Sequence, residues 1–152
     1  MPYTFRGTET VHIEAPADAV FAVITDIDRL PEWNGAIDHV VERPPVLAPG
    51  AEWVIEMHAM GSRWDSRSWV TEIDPAARRF EHRTQSDDGN PSYALWTWQV
   101  IPAGGSEVTV TWEVHPLTFW RRTLLARIRR GFLAKEVRAS LAALVAACTV
   151  VK

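Results

Sequence analysis

His82 is the residue of this chain best suited to acid–base chemistry. It alternates with Phe80 and Thr84, so an extended segment turns all three to one face. A neutral imidazole on an apolar wall can act as a general base, because its ordinary pKa lies near working pH. The same placement also describes a satisfied core histidine, and both readings stay open. His115, at the end of its segment before Pro116, makes a weaker case. A second chemistry-bearing group is basic: Arg121, Arg122, Arg127, Arg129 and Arg130 crowd one stretch near the C-terminus. They form either a solvated helix face or a surface for an anionic head group, membrane or protein partner. No GxSxG elbow, glycine-rich phosphate loop, HExxH or Cys–His pair is present. With a single Cys148 there is no internal disulfide or cysteine metal cluster, so the expectation is no metal and no cofactor.

The eight tryptophans carry more information. Trp53, Ile55 and Met57 alternate with Glu52, Glu56 and His58, as on a half-buried strand. A two- or four-residue turn at Met60–Gly61 places Trp64, Ser66, Ser68 and Val70 on the same side, with Asp65 and Arg67 pairing outside. Trp96 and Trp98 then alternate inward with Ala94 and Val100, and Trp112 with Val108, Val110 and Val114. At helical spacing, Trp120, Leu124, Ile128, Phe132 or Leu133, Val137, Leu141, Leu144 and Cys148 form a seam. Wide aromatic walls with serines between them leave concave space where uniformly bulky residues would fill it. The predicted lining is Trp53, Ile55, Met57, Trp64, Ser66, Ser68, Trp96, Trp98, Trp112, Ile128 and Phe132. Buried, the two serine hydroxyls need partners in the backbone, in water or in a ligand. Trp33, at the end of a short helix near the sheet mouth, either caps a ligand or staples its loop to the sheet.

The elements that must position these residues follow from the pattern. A short apolar strand at Val11–Ala15 leads into a helix begun at Pro16, where a missing N–H costs nothing. A second short helix covers Asp26–Asn34, and a strand Ile37–Glu42 precedes the proline-rich loop Arg43–Gly50. Asp74–Ala77, Ser86–Pro91 and Pro102–Gly105 are turn or loop signals between further strands. From Leu117 the period becomes that of one long helix, interrupted by Gly131. The expected class is α+β: a sheet wrapped around a long C-terminal helix, with a cavity between them.

Composition bounds the function. A chain of 152 residues with 47% hydrophobic and 23% charged residues is expected to form one domain, residues 1–152. Its net charge of −3 argues against a general nucleic-acid binder. The N-terminus lacks the apolar core of a signal peptide and no 18-residue apolar run occurs, which points to a cytoplasmic protein, monomer or dimer.

Val11-x-Ile13-x-Ala15-Pro16-x-x-x-Val20-Phe21, Asp26 and Leu30-Pro31-Glu32-Trp33 resemble the polyketide cyclase/dehydrase branch of the START-like (SRPBCC) superfamily. Val70-x-x-x-Asp74-Pro75, Trp96-x-Trp98-x-Val100-x-Pro102 and Gly104-Gly105-Ser106-x-Val108-Thr109 extend the resemblance along nearly the whole chain. It implies a helix-grip fold, a curved seven-stranded antiparallel sheet around the C-terminal helix with a deep apolar cavity. These are scaffold residues and carry no catalytic role with them. Three functions follow as expectations: binding of a hydrophobic small molecule of aromatic, polyketide-like or lipid character; a cyclase or dehydratase using His82 or a pocket hydroxyl; or a docking module using the arginine-rich helix.

Overall fold

In this computed structural model residues 4–59, 61–86, 92–115 and 126–148 are described, the side chains at 59, 86 and 126–132 excepted. The expectations placed on Trp120, Leu124, Arg121, Arg122 and most of the Ser86–Pro91 loop lie outside the described residues. So do those on the side chains of Ile128, Phe132, Arg127, Arg129 and Arg130.

The first strand, β1 (Phe5–Ile13), begins earlier than its apolar end suggests and stops at Ile13 rather than Ala15. Polar alternation explains the extension. Thr8 and Thr10 lie opposite Thr111 and Thr109, and their hydroxyls meet at 3.3 and 3.1 Å across the outer face. Then follow α1 (Ala17–Ile24), a 3₁₀ turn (Ile27–Arg29) and α2 (Leu30–Trp33). Pro16 stands at the N-cap of α1, and Pro31 in the first turn of α2, where neither disturbs a helical hydrogen bond. The strands β2 (Ile37–Glu42), β3 (Glu52–Ala59), β4 (Ser62–Asp74), β5 (Arg79–Ser86), β6 (Tyr93–Pro102) and β7 (Ser106–His115) complete a seven-stranded sheet. Its order is β1-β7-β6-β5-β4-β3-β2, with every pair antiparallel. The chain closes with α3 (Ala126–Cys148), which packs on β1, α1 and α2 and runs through Gly131. This is the helix-grip arrangement.

Turn chemistry sets the registers. The β3–β4 hairpin pairs Ala59 with Ser62, so its loop has two residues, and Gly61 takes a φ of 78°. Trp53, Ile55 and Met57 therefore oppose Ser68, Ser66 and Trp64, as the parity argument expects. The register slips once between Val70 and Glu72, which keeps both Val70 and Ile73 opposite the inward His82 and Phe80. At the β4–β5 turn the Asp74 carboxylate accepts the Ala77 N–H at 3.1 Å. Arg78 holds a φ of 54°, and its carbonyl accepts the Val100 N–H at 3.0 Å and the Gln99 amide at 3.2 Å. Its guanidinium donates to Asp18 at 2.7 Å, tying the turn to α1. Arg67 pairs with Glu52 of the adjacent β3 at 3.1 Å and with Glu42 of β2, one strand further, at 3.4 Å.

The core is continuous on the concave side. At one end Ile13, Val20, Val100, Val108, Val110 and Leu144 are fully buried. At the other end the same strands and the Leu133–Ser140 stretch of α3 border a cavity.

Candidate functional site: an aromatic cavity between sheet and helix

Between the open end of the sheet and α3 lies a cavity of about 530 Å³. Its walls come from every layer. Trp53, Ile55 and Met57 of β3, Trp64, Ser66 and Ser68 of β4, and Trp96 and Trp98 of β6 all line it. The helix side supplies Leu133, Glu136, Val137 and Ser140, and the crossover supplies Ile24, Ile27, Leu30 and Trp33. Phe5 and Val114, paired across β1 and β7, close the near end.

Trp33 is a wall residue rather than an exposed lip. It is 2% exposed, and its ring meets Trp98 edge to face at 5.4 Å. Among the described residues its indole N–H has no hydrogen-bond partner, an unusual state for a buried donor.

Trp112 departs from expectation. It is buried but absent from the cavity wall. Gly7 lies opposite it in register, and a Cβ on Gly7 would stand 2.1 Å from the indole, so the ring occupies the space a side chain would fill. Its outer neighbour is Trp96, at 6.0 Å between ring centroids. Trp112 therefore backs the wall while Trp96 faces the space.

His82 sits on the cavity wall in an aromatic box. Its ring lies 5.1 Å from both Trp53 and Phe80. The Trp98 indole N–H donates to its Nε2 at 3.3 Å, and its Nδ1 lies 3.3 Å from the Thr84 hydroxyl. Thr84 Oγ1 in turn lies 2.9 Å from Ser68 Oγ. An indole N–H only donates, so Nε2 is the acceptor and the imidazole proton belongs on Nδ1, facing Thr84. Desolvation pushes the His82 pKa down from 6.5 to about 3, which keeps the ring neutral at physiological pH. His82 is thus a poor general base: its free lone pair is already taken, and its conjugate acid forms far below neutrality. The sequence pattern placed His82 correctly on the inner face and could not show the indole that engages it. His115 lies off the wall, stacked on Tyr93 at 4.5 Å with its Nε2 against Glu113.

Several wall residues escaped the sequence reading. Those of α1 and α2 belong to an apolar stripe that reads only as core. Glu136 and Ser140 are polar members of a helix whose apolar seam drew attention instead. Their spacing with Leu133 and Val137, at i, i+3 and i+4, is the signal that could have found them.

The fold and this site define a class. The chain belongs to the family described as polyketide cyclase / dehydrase and lipid transport, whose profile matches residues 4–149. A search of curated protein sequences finds no match. Among solved structures the chain is similar to the Zhui aromatase/cyclase from a Streptomyces species, at 16% identity and a TM-score of 0.74, over 96% of this chain and 94% of that one. Protein CV1439 from Chromobacterium violaceum is similar at 21% identity and a TM-score of 0.75, over 99% and 100% of the two chains. The di-domain ARO/CYC BexL is similar at 20% identity and a TM-score of 0.79, over 98% of this chain and 51% of that one, so this chain corresponds to half of its length. At these identities the likeness establishes the fold.

Proposed function

We propose that this protein binds a hydrophobic small molecule, of aromatic or polyketide-like character, in the cavity between the sheet and α3. The observation that carries the reading is the cavity itself: about 530 Å³, walled by tryptophans from four elements with serines between them. Apolar ligand surface buried there contributes about 25 cal/mol per Å², and flat rings suit indole walls.

The cyclase or dehydratase alternative needs a group that takes a proton from the bound molecule. His82, the strongest candidate by sequence, is a weak base, its pKa lowered to about 3 by burial, and it has its acceptor nitrogen engaged by Trp98. That favours binding over proton abstraction. The docking alternative rests on arginine side chains outside the described residues and draws no support from the geometry. No helix among the described residues is long and apolar enough to cross a membrane.

The test is titration with N-phenyl-1-naphthylamine, a neutral probe that brightens in apolar surroundings. The expected result is saturable binding that Ser66→Leu weakens by narrowing the cavity while the circular dichroism spectrum stays unchanged. Binding that Ser66→Leu leaves unchanged in a folded protein would place the probe elsewhere and contradict the reading.

A further inference from the structure

The polar side chains on the cavity floor form a hydrogen-bond chain whose direction is set at one end. Trp98 Nε1–H is a donor with no acceptor capacity, and it meets His82 Nε2 at 3.3 Å. The imidazole, neutral in this box, therefore carries its proton on Nδ1 and presents it to Thr84 Oγ1 at 3.3 Å. Thr84 accepts there, which frees its own hydroxyl proton to donate. The acceptor within reach is Ser68 Oγ at 2.9 Å. Each group thus donates to the next, from Trp98 through His82 and Thr84 to Ser68. Ser68 accepts from Thr84 and keeps its own proton to give, and it lies on the cavity wall beside Ser66.

We infer that this chain makes the floor of the cavity a hydrogen-bond donor site, selecting ligands that carry a carbonyl- or quinone-type oxygen over ligands that present only an N–H or O–H there. The inference rests on the proposed binding function and names the class of ligand it serves. A second feature points the same way: the indole N–H of Trp33, also a wall residue, is a buried donor without a partner among the described residues. Of the other polar wall residues, Glu136 and Gln85 each already have an interaction partner, and Asn34 Oδ1 accepts the Ala36 N–H at 3.1 Å. A buried polar group left unpaired by the wrong ligand is penalised more than a correct pair gains, so even one hydroxyl discriminates.

Three tricyclic probes of nearly equal shape separate the outcomes in equilibrium dialysis: 9-fluorenone, which only accepts; carbazole, which only donates; and fluorene, which does neither. The expected order is fluorenone tightest, by about 3- to 10-fold over fluorene, with carbazole no better than fluorene. Ser68→Ala should shrink the advantage of fluorenone over fluorene. Trp98→Phe keeps Ser68 but removes the donor that sets the imidazole tautomer, so the gap between fluorenone and carbazole should shrink. Equal binding of all three probes, or carbazole tightest, would overturn the donor site while leaving the container intact. If none of the three is retained, the container reading fails and the donor site falls with it.

Discussion

Along β6, Val100 is sealed against Val108 of β7, whereas Trp96 and Ala94, nearer the start of the strand, face open space. The same division runs through the other elements. In β1, Ile13 is fully buried and Phe5 borders the cavity, while in α3 Leu144 is fully buried and Leu133 and Val137 border the cavity. One end of the concave face is filled by β-branched and aliphatic side chains that are fully buried. The other alternates indoles with serine, threonine and alanine, so large walls stand apart with nothing between them. Strand pairing is shared, and how the side chains fill the space against α3 divides a core from a container.

That division predicts which substitutions cost stability and which cost binding. Leu144→Ala in the filled end should destabilise the protein by about 2–5 kcal/mol, measured by chemical denaturation, with probe affinity of the folded protein unchanged. Gly7→Ala should come next, at about 1–3 kcal/mol. Its new Cβ would stand 2.1 Å from Trp112, and the displaced ring would press on Trp96. Gly7→Ala should therefore be the one change at the boundary that lowers both stability and probe affinity. Trp96→Ala should reverse the pattern of Leu144→Ala, weakening N-phenyl-1-naphthylamine binding about tenfold, a loss of about 1.4 kcal/mol, while changing stability less than Leu144→Ala does. A Trp96→Ala variant that binds normally but unfolds easily would erase the distinction between the two ends.

The smallest effect at neutral pH belongs to His82. Its folded pKa of about 3 lies below the 6.5 of the unfolded chain, so between these values only the unfolded chain takes up the proton. Stability contributed by the neutral ring is complete above pH 6.5 and is lost as pH falls toward 3, by up to about 1.4 kcal/mol per pH unit. His82→Phe should flatten the stability profile over that window, as read by denaturation at a series of pH values. An unchanged slope would mean the imidazole protonates readily in the folded state, contradicting its enclosure.

Much of this division was legible in the sequence, because strand parity is a strict rule. Trp53, Ile55 and Met57 had to share a face, and a two-residue turn had to bring Trp64, Ser66 and Ser68 to the same side. Parity could not say where along a strand the core ends and the cavity begins. Trp112 and Trp96 have the same parity and lie directly opposite one another, yet a glycine on the far side draws Trp112 into the packing. The role of His82 was hidden for a related reason. Its partner Trp98 reaches it diagonally across the β5–β6 pair, a contact that depends on both rotamers as well as on register.

The central claim, that the hollow end is built to be occupied, is tested most directly by native mass spectrometry of freshly purified protein with added 9-fluorenone. The expected result is a one-to-one adduct, or a co-purified small molecule, that denaturation removes and that Ser66→Leu holds more weakly. A bare chain mass at saturating fluorenone, with the protein folded, would contradict it.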